Sequence, residues 1–229
     1  MQFETLDRHG EVLVPASNKV LRNTYALLGL SMVPTVIGAV LGVSLNVSAL
    51  FAGSPFMSFL LFLGISFGFF WGIERHKNSG LGVALLLGFT FFMGLMLSRI
   101  LTVALGFSNG GALIAFAGAG TAGIFLTLAG IASTTKRDLS NLNKFLFVGL
   151  MVLVLASVAN IFLQLPALAL TISAVSVLLF SAYILYDIQQ IVQGGETNYI
   201  TATLSVYLDI YNVFVSLLNL LMALGGERD

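Results

Sequence analysis

The sequence has 229 residues, of which 58% are hydrophobic and only 9% are charged. This composition excludes a soluble globular protein, because too few polar side chains remain to cover the surface of a folded chain of this size. The net charge of zero argues against a nucleic-acid partner. The chain has no cysteine, and it lacks a metal-ligand cluster, a nucleophile–base pair and a phosphate-binding loop, so we expect neither an enzyme nor a bound cofactor.

Seven apolar segments follow one another along the chain, each of roughly the 20 residues that a helix needs to cross a bilayer. We therefore expect an all-α, polytopic membrane protein, with a single integral domain over residues 1–229 built as a bundle of seven transmembrane helices. The charged residues 1–22 form an N-terminal tail without the features of a cleavable signal peptide. The segments are 25–47, 56–73, 81–105, 112–131, 145–163, 167–187 and 199–224.

Lysine and arginine residues predict the orientation of these segments. Basic residues precede the first segment, follow the second, and lie between the fourth and fifth. The connections after the first, third and fifth segments have none, apart from Arg99 toward the end of the third. We therefore expect the N-terminus in the cytoplasm and, with seven crossings, the C-terminus on the opposite side.

Small residues recur at every fourth position in three of the segments. Such stripes let helix backbones approach closely in lipid. We expect them to serve packing within the bundle, with dimerisation as the less favoured alternative. The stripes are Gly38 and Gly42 in the first segment, Gly64, Gly68 and Gly72 in the second, and Gly111, Ala115, Ala119 and Gly123 in the fourth.

Two aspartates stand 22 residues apart, Asp187 at the end of the sixth segment and Asp209 in the middle of the seventh. A carboxylate at that depth is costly, so it usually faces a bundle interior or a water-filled path and has a partner. Helices joined by a short connection pack as neighbours, so we expect the two carboxylates to share one site. Close carboxylates titrate as a coupled pair and suit calcium, which predicts a proton sensor, a cation site, or both.

The seventh segment also carries a stripe of polar side chains. The steps of three and four residues place them within a sector of roughly 80° along about 27 Å of helix. Because such a stripe cannot face lipid, we expect it to face the bundle interior, with the seventh helix at the centre and the stripe lining a polar core or a permeation path. The alternative is that these side chains only form interhelical hydrogen bonds. The stripe is Thr201, Ser205, Asp209, Asn212, Ser216 and Asn219.

Arg75 at the end of the second segment has two interpretations. In the expected topology it lies at the same face of the membrane as Asp187, so its guanidinium can pair with the carboxylates and latch the cytoplasmic end of the bundle. Alternatively, it extends to the lipid headgroups. The residues alone favour the second interpretation.

Four runs of residues resemble the bacterial Bax-inhibitor family, also called the transmembrane Bax-inhibitor-motif family, and in particular its YccA-like members. They are residues 18–25 (NKVLRNTY), 136–140 (KRDLS), 158–166 (VANIFLQLP) and 194–199 (GGETNY). The resemblance covers essentially the whole chain. It implies six helices around a central seventh, a multi-pass protein of the bacterial inner membrane, and a C-terminus in the periplasm.

The resemblance implies two functions. Some members of the family are pH-sensitive calcium-leak channels with a di-aspartyl proton sensor, and their motifs match residues 185–187 (LYD) and 207–209 (YLD) here. An arginine of those members matches Arg75, which favours the latch. Calcium is then the permeant ion. The alternative is a non-conducting modulator that binds and restrains the membrane protease FtsH, as implied by the YccA-like members.

The orientation can be tested with topology reporters. We expect a reporter fused at the C-terminus to be active on the periplasmic side and a reporter inserted at Lys136 to be active on the cytoplasmic side, because basic loops are retained in the cytoplasm. The reverse pattern would show that the placement of lysine and arginine does not orient this chain.

Overall fold

The computed structural model describes residues 7–47, 55–135, 139 and 142–226. Within these ranges the chain forms helices and no strands, and seven helices are long and apolar enough to cross a membrane. The predicted all-α, seven-helix architecture is confirmed. The helices are α1 Asp7–Ser44, α2 Pro55–His76, α3 Gly80–Leu105, α4 Gly110–Thr134, α5 Leu142–Leu163, α6 Pro166–Gln193 and α7 Tyr199–Gly225.

Two helices extend beyond the apolar segments that predicted them. Helix α1 begins at Asp7, so most of the expected tail 1–22 belongs to it. Helix α6 continues to Gln193 because Ile188 and Ile191, both buried, keep an apolar face in contact with the core. Asp187 therefore lies inside α6, about 9 Å before its end, and not at the end as the sequence suggested.

Helix α7 is the centre of the bundle. It packs against α1, α2, α3, α4 and α6, whereas α5 packs on α6. Its side chains of Val206, Tyr207, Val213 and Leu218 are at most 1% exposed. The prediction of a central seventh helix is confirmed.

Helices α1 and α3 cross at very close range. A Cβ atom added to Gly38 of α1 would overlap the carbonyl oxygen of Phe91, and one added to Gly94 of α3 would overlap that of Thr35. The Cβ position of Gly42 meets the side chain of Ser98 one turn further along. The small residues of α1 thus serve packing within the bundle, as predicted. On α3 they pack near Gly94, a residue that the sequence analysis did not single out.

The stripes on α2 and α4 do not pack in this way. A Cβ atom at Gly64 or Gly68 of α2, or at Gly111 or Gly123 of α4, would meet nothing within 4 Å. These glycines are exposed on the outside of the bundle. The prediction of intramolecular packing is therefore wrong for most of the α2 stripe and for the α4 stripe, because spacing along a helix does not reveal which face turns inward.

Hydrogen bonds from asparagines fix the two ends of the bundle. Asn198 caps α7, accepting at Oδ1 from the backbone N–H of Ile200 at 2.9 Å, and it donates from Nδ2 to the carbonyl oxygen of Lys77 at 2.9 Å. The α6–α7 connection is thereby joined to the α2–α3 connection. At the opposite end, Asn109 Nδ2 donates to the carbonyl oxygen of Gly225 at 2.6 Å, which joins the start of α4 to the end of α7.

The α1–α3 crossing yields a matched pair of variants. Gly94→Ala places a methyl group against the α1 backbone, so we expect it to destabilise the fold by about 1–3 kcal/mol, as is typical of overpacking. Gly123→Ala is the control, because its methyl group enters open space and alanine favours helix. Thermal unfolding in detergent measures both. Equal stability of the two variants would contradict the close crossing.

Candidate carboxylate site

Asp187 of α6 and Asp209 of α7 come together inside the bundle. Their carboxyl groups lie close enough to interact with each other. Asp209 is only 5% exposed, and its Oδ2 atom is buried without a hydrogen-bond partner. Asp187 is half-buried. The two acids, 22 residues apart in sequence, therefore form one site.

The α6–α7 connection positions this pair. Gly194 ends α6 with φ 78°, the left-handed region that favours glycine. The backbone N–H of Asn198 then donates to Glu196 Oε1 at 2.7 Å, and α7 begins at the next residue. Because the connection is short, α7 returns along α6. Asp209 then lies about 15 Å along α7 from its start.

Within the described ranges, no positively charged group is seen to interact with the pair. The phenol of Tyr183 lies close enough to interact with both carboxyls, and Glu196 close enough to interact with Asp187. Helix α4, which packs against both α6 and α7, carries no titratable side chain. Among the described residues, no lysine or arginine forms an ion pair with either aspartate. A proton shared by the carboxyls, or a cation between them, would therefore relieve the repulsion between two negative charges.

The pair does not form a closed metal site by itself. No group of three or more histidine, cysteine, aspartate or glutamate side chains that could hold a metal exists among the described residues. Calcium takes about six to eight oxygen ligands, whereas two carboxylates offer about four at most. Two carboxylates alone therefore do not complete the coordination of a tightly held calcium ion.

The polar stripe of α7 is only partly enclosed. Ser216, like Asp209, is buried, whereas Thr201, Asn212 and Asn219 are half-buried. Ser205 is exposed, so the prediction that the whole stripe faces the bundle interior is wrong at this position.

Two members of the stripe bond to their own helix terminus or backbone. Thr201 Oγ1 donates to the carbonyl oxygen of Asn198 at 3.1 Å, and Asn212 Nδ2 donates to that of Leu208 at 2.7 Å. These bonds satisfy donors inside the helix. The hydrogen bonds of Thr201 and Asn212 thus stay within α7 and its start. They neither join α7 to another helix nor form a continuous polar path.

Two tyrosines that the sequence analysis missed hold the opposite face of α7. The Tyr207 hydroxyl lies 2.9 Å from Thr35 Oγ1 of α1, and the Tyr211 hydroxyl donates to the carbonyl oxygen of Met93 of α3 at 3.3 Å. A phenol in a bilayer needs such a partner. Two tyrosines four residues apart in a transmembrane segment were the available signal.

The tyrosine face also borders a cavity of about 850 Å³ between α1, α4 and α7. A smaller cavity of about 540 Å³ lies between α2, α3 and α5. Neither of these two cavities is lined by Asp187 or Asp209. The carboxylate site therefore lies outside both.

Arg75 does not reach the aspartates. Its side chain is exposed, and its guanidinium carbon lies 5.7 Å from the centre of the Trp71 ring. The neighbouring Glu74 pairs with Lys77, and that hydrogen bond raises the pKa of the lysine. The structure thus does not bring the predicted latch residue to the site; an exposed arginine lying along an exposed tryptophan fits the headgroup interpretation.

Comparison with known proteins identifies the family of the chain. The family model described as "Inhibitor of apoptosis-promoting Bax1" matches residues 17–226. The chain belongs to the Bax-inhibitor family. The match includes both aspartates and all seven membrane-spanning segments.

Three relatives extend the comparison. An uncharacterized protein of Neisseria meningitidis serogroup A is 42% identical over 99% of this chain and 100% of its own length. The protein named modulator of FtsH protease YccA, from Escherichia coli K12, is 39% identical over 93% of this chain and 94% of its own. Its counterpart in Escherichia coli O6:H1, with the same identity and coverage, is named an inner membrane protein.

A double-mutant cycle tests the interaction between the carboxyls. Because they lie close together, we expect the effects of Asp187→Asn and Asp209→Asn on unfolding free energy to be non-additive, with a coupling of about 0.5–3 kcal/mol. Arg75→Gln combined with Asp209→Asn is the control and should be additive within about 0.5 kcal/mol. Additive effects of the two aspartate substitutions, together with non-additive effects in the control pair, would contradict the pairing of Asp187 with Asp209.

Proposed function

We propose that the protein is a proton-regulated cation leak of the inner membrane, with calcium as the preferred ion and Asp187 and Asp209 as its proton sensor and transient cation ligands. The observation that carries the proposal is the Asp209 carboxyl. It is buried in the central helix, close to a second carboxyl, and has no cationic partner among the described residues. An ionisable group in that setting is costly, and it typically marks an ion or proton pathway.

The chemistry of the pair gives the sign of the pH response. A shared proton joins the carboxyls and holds α6 against α7. When the proton leaves, two negative charges face each other, which repels the helices and provides oxygen ligands for a hard divalent cation. Protons and calcium therefore compete for the same oxygens, so flux should rise with pH. Among the described residues, Tyr183 of α6 interacts with both carboxyls and Glu196 of the connection interacts with Asp187, whereas Tyr186 interacts with Tyr183.

We take this arrangement as the closed form of the proposed scheme. Asp209 is 5% exposed, and neither described cavity reaches the pair. Opening must separate α6 from α7 near the aspartates, because these helices form the contact that encloses them. Arg75 has no part in the scheme, since it lies on Trp71.

Calcium entry into proteoliposomes, measured between about pH 6 and 8, tests the sensor. We expect wild-type flux to increase with pH, and Asp187→Asn and Asp209→Asn each to lose most of this dependence, because asparagine keeps the size of the side chain but does not titrate. Glu74→Gln is the matched control, an acid-to-amide change at an exposed residue that pairs with Lys77, and should keep the wild-type profile.

Two results would contradict the sensor. One is a folded Asp187→Asn or Asp209→Asn protein that keeps the wild-type pH profile. The other is the absence of calcium flux in every form of the protein, which would favour the second candidate function.

The second candidate is a non-conducting modulator of the membrane protease FtsH. It is supported by the 39% identity, over 93% of this chain, to a protein named as a modulator of that protease. Reconstituting this chain with FtsH and following the degradation of a membrane substrate tests it directly. Slower degradation in the presence of both wild type and Asp209→Asn would support modulation that does not depend on the carboxylates.

A further inference from the structure

The cavity between α2, α3 and α5 lies at the end of the bundle opposite the α6–α7 connection. It is formed by the start of α2, the last third of α3, the end of α5 and the α5–α6 connection. Both polar and apolar side chains line it. The polar ones are Ser58, Ser98, Arg99, Asn160 and Gln164, and the apolar ones are Phe59, Phe62, Leu95, Met96 and Ile161.

Arg99 gives this cavity a positive charge without a negative one. It lies about 9 Å before the end of α3. Its side chain is exposed, and an arginine near the end of a membrane-spanning helix extends toward the interface, where anionic groups are available as partners. None of the side chains that line the cavity is acidic, and no described residue forms an ion pair with Arg99. The lining therefore matches a ligand that carries a negative charge.

Two amide side chains stand beside the guanidinium. Asn160 Oδ1 accepts from the backbone N–H of Leu165 at 3.0 Å, which orients the amide and leaves its NH₂ group as a donor. Gln164 has φ 52°, a left-handed conformation that is costly for a residue other than glycine. Backbone strain of this kind is often found at ligand sites, where a particular side chain must be held in place. Guanidinium and amide N–H groups together are typical donors to phosphate oxygens.

We propose that this cavity binds the phosphodiester group of an anionic phospholipid, with Arg99 paired to the phosphate and Asn160 and Gln164 donating to its oxygens. The apolar part of the lining, which includes Phe59 and Phe62, takes the start of an acyl chain and argues for a lipid over free phosphate. The volume of about 540 Å³ suits a headgroup with its glycerol. The depth of Arg99 places the phosphate near the headgroup level of the leaflet at which α7 ends.

The test is the thermal unfolding of the full chain in detergent with added phosphatidylglycerol, compared with phosphatidylcholine of the same acyl chains. We expect phosphatidylglycerol to raise the unfolding temperature more than phosphatidylcholine does. In Arg99→Gln this difference should disappear, with at least about a tenfold weaker apparent affinity, because a charge-assisted hydrogen bond is lost. Arg75→Gln is the control, a basic interfacial residue outside the cavity, and should respond like the wild type.

Two further arms separate lipid from free anion. Inorganic phosphate and glycerophosphoglycerol carry the charge without acyl chains, and neither should reproduce the shift. If either does, the site binds the anion alone and the lipid assignment is wrong. An Arg99→Gln protein that responds to phosphatidylglycerol like the wild type would overturn the site itself.

A second variant keeps the proposal testable if Arg99→Gln does not fold. Gln164→Gly relieves the left-handed strain and removes the amide, so the lipid-free protein should be at least as stable as the wild type. Native mass spectrometry should nevertheless show less phosphatidylglycerol retained on it. Equal retention in Gln164→Gly and the wild type would contradict a role for this side chain.

Discussion

The enclosure of the Asp209 carboxyl in the middle of α7 is the constraint on which the rest of the structure depends. A carboxyl group at that depth cannot face lipid, so α7 must be surrounded by other helices. The structure meets this requirement by packing α1, α2, α3, α4 and α6 around it. The face with Asp209 meets Asp187 of α6, and the opposite face, with Tyr207 and Tyr211, bonds to α1 and α3.

The helices around α7 are held by contacts that need very little side-chain volume. Gly38 and Gly94 let α1 and α3 touch along their backbones. Asn198 joins the start of α7 to the α2–α3 connection, and Asn109 joins its end to the start of α4. These polar links lie at the two ends of α7, whereas the pair of carboxyls lies between them. In the scheme that we propose, α6 separates from α7 at the aspartate site while these links keep both ends of α7 fixed.

The sequence predicted those features that follow from the distribution of polar and apolar residues along single helices. Seven apolar segments gave the seven helices, and Asp209 with its polar neighbours gave the central position of α7. It failed where the direction of a face or a rotamer decides the outcome. Ser205 shares the spacing of the stripe but is exposed, and Gly64 shares the spacing of Gly38 but meets nothing.

Arg75 is a second case in which the sequence did not reveal the direction of a side chain. Its position at the end of α2 placed it near the aspartates along the membrane normal, but its side chain lies on Trp71, which sits one turn earlier on the same helix. The hydroxyl of Tyr207 was overlooked because a tyrosine counts as apolar in a composition pattern, although its phenol needs a partner in lipid. Tertiary contacts of this kind cannot be read from periodicity.

The most direct measurement of the central claim is infrared difference spectroscopy of the protein in bilayers during a pH titration. If Asp187 and Asp209 share one site, they titrate as a coupled pair. A band from a protonated carboxyl should then appear in the wild type, and its pH dependence should change in both Asp187→Asn and Asp209→Asn. A band that is removed by one substitution and left unchanged in position and titration by the other would show that the two carboxyls are independent, and would contradict the shared site.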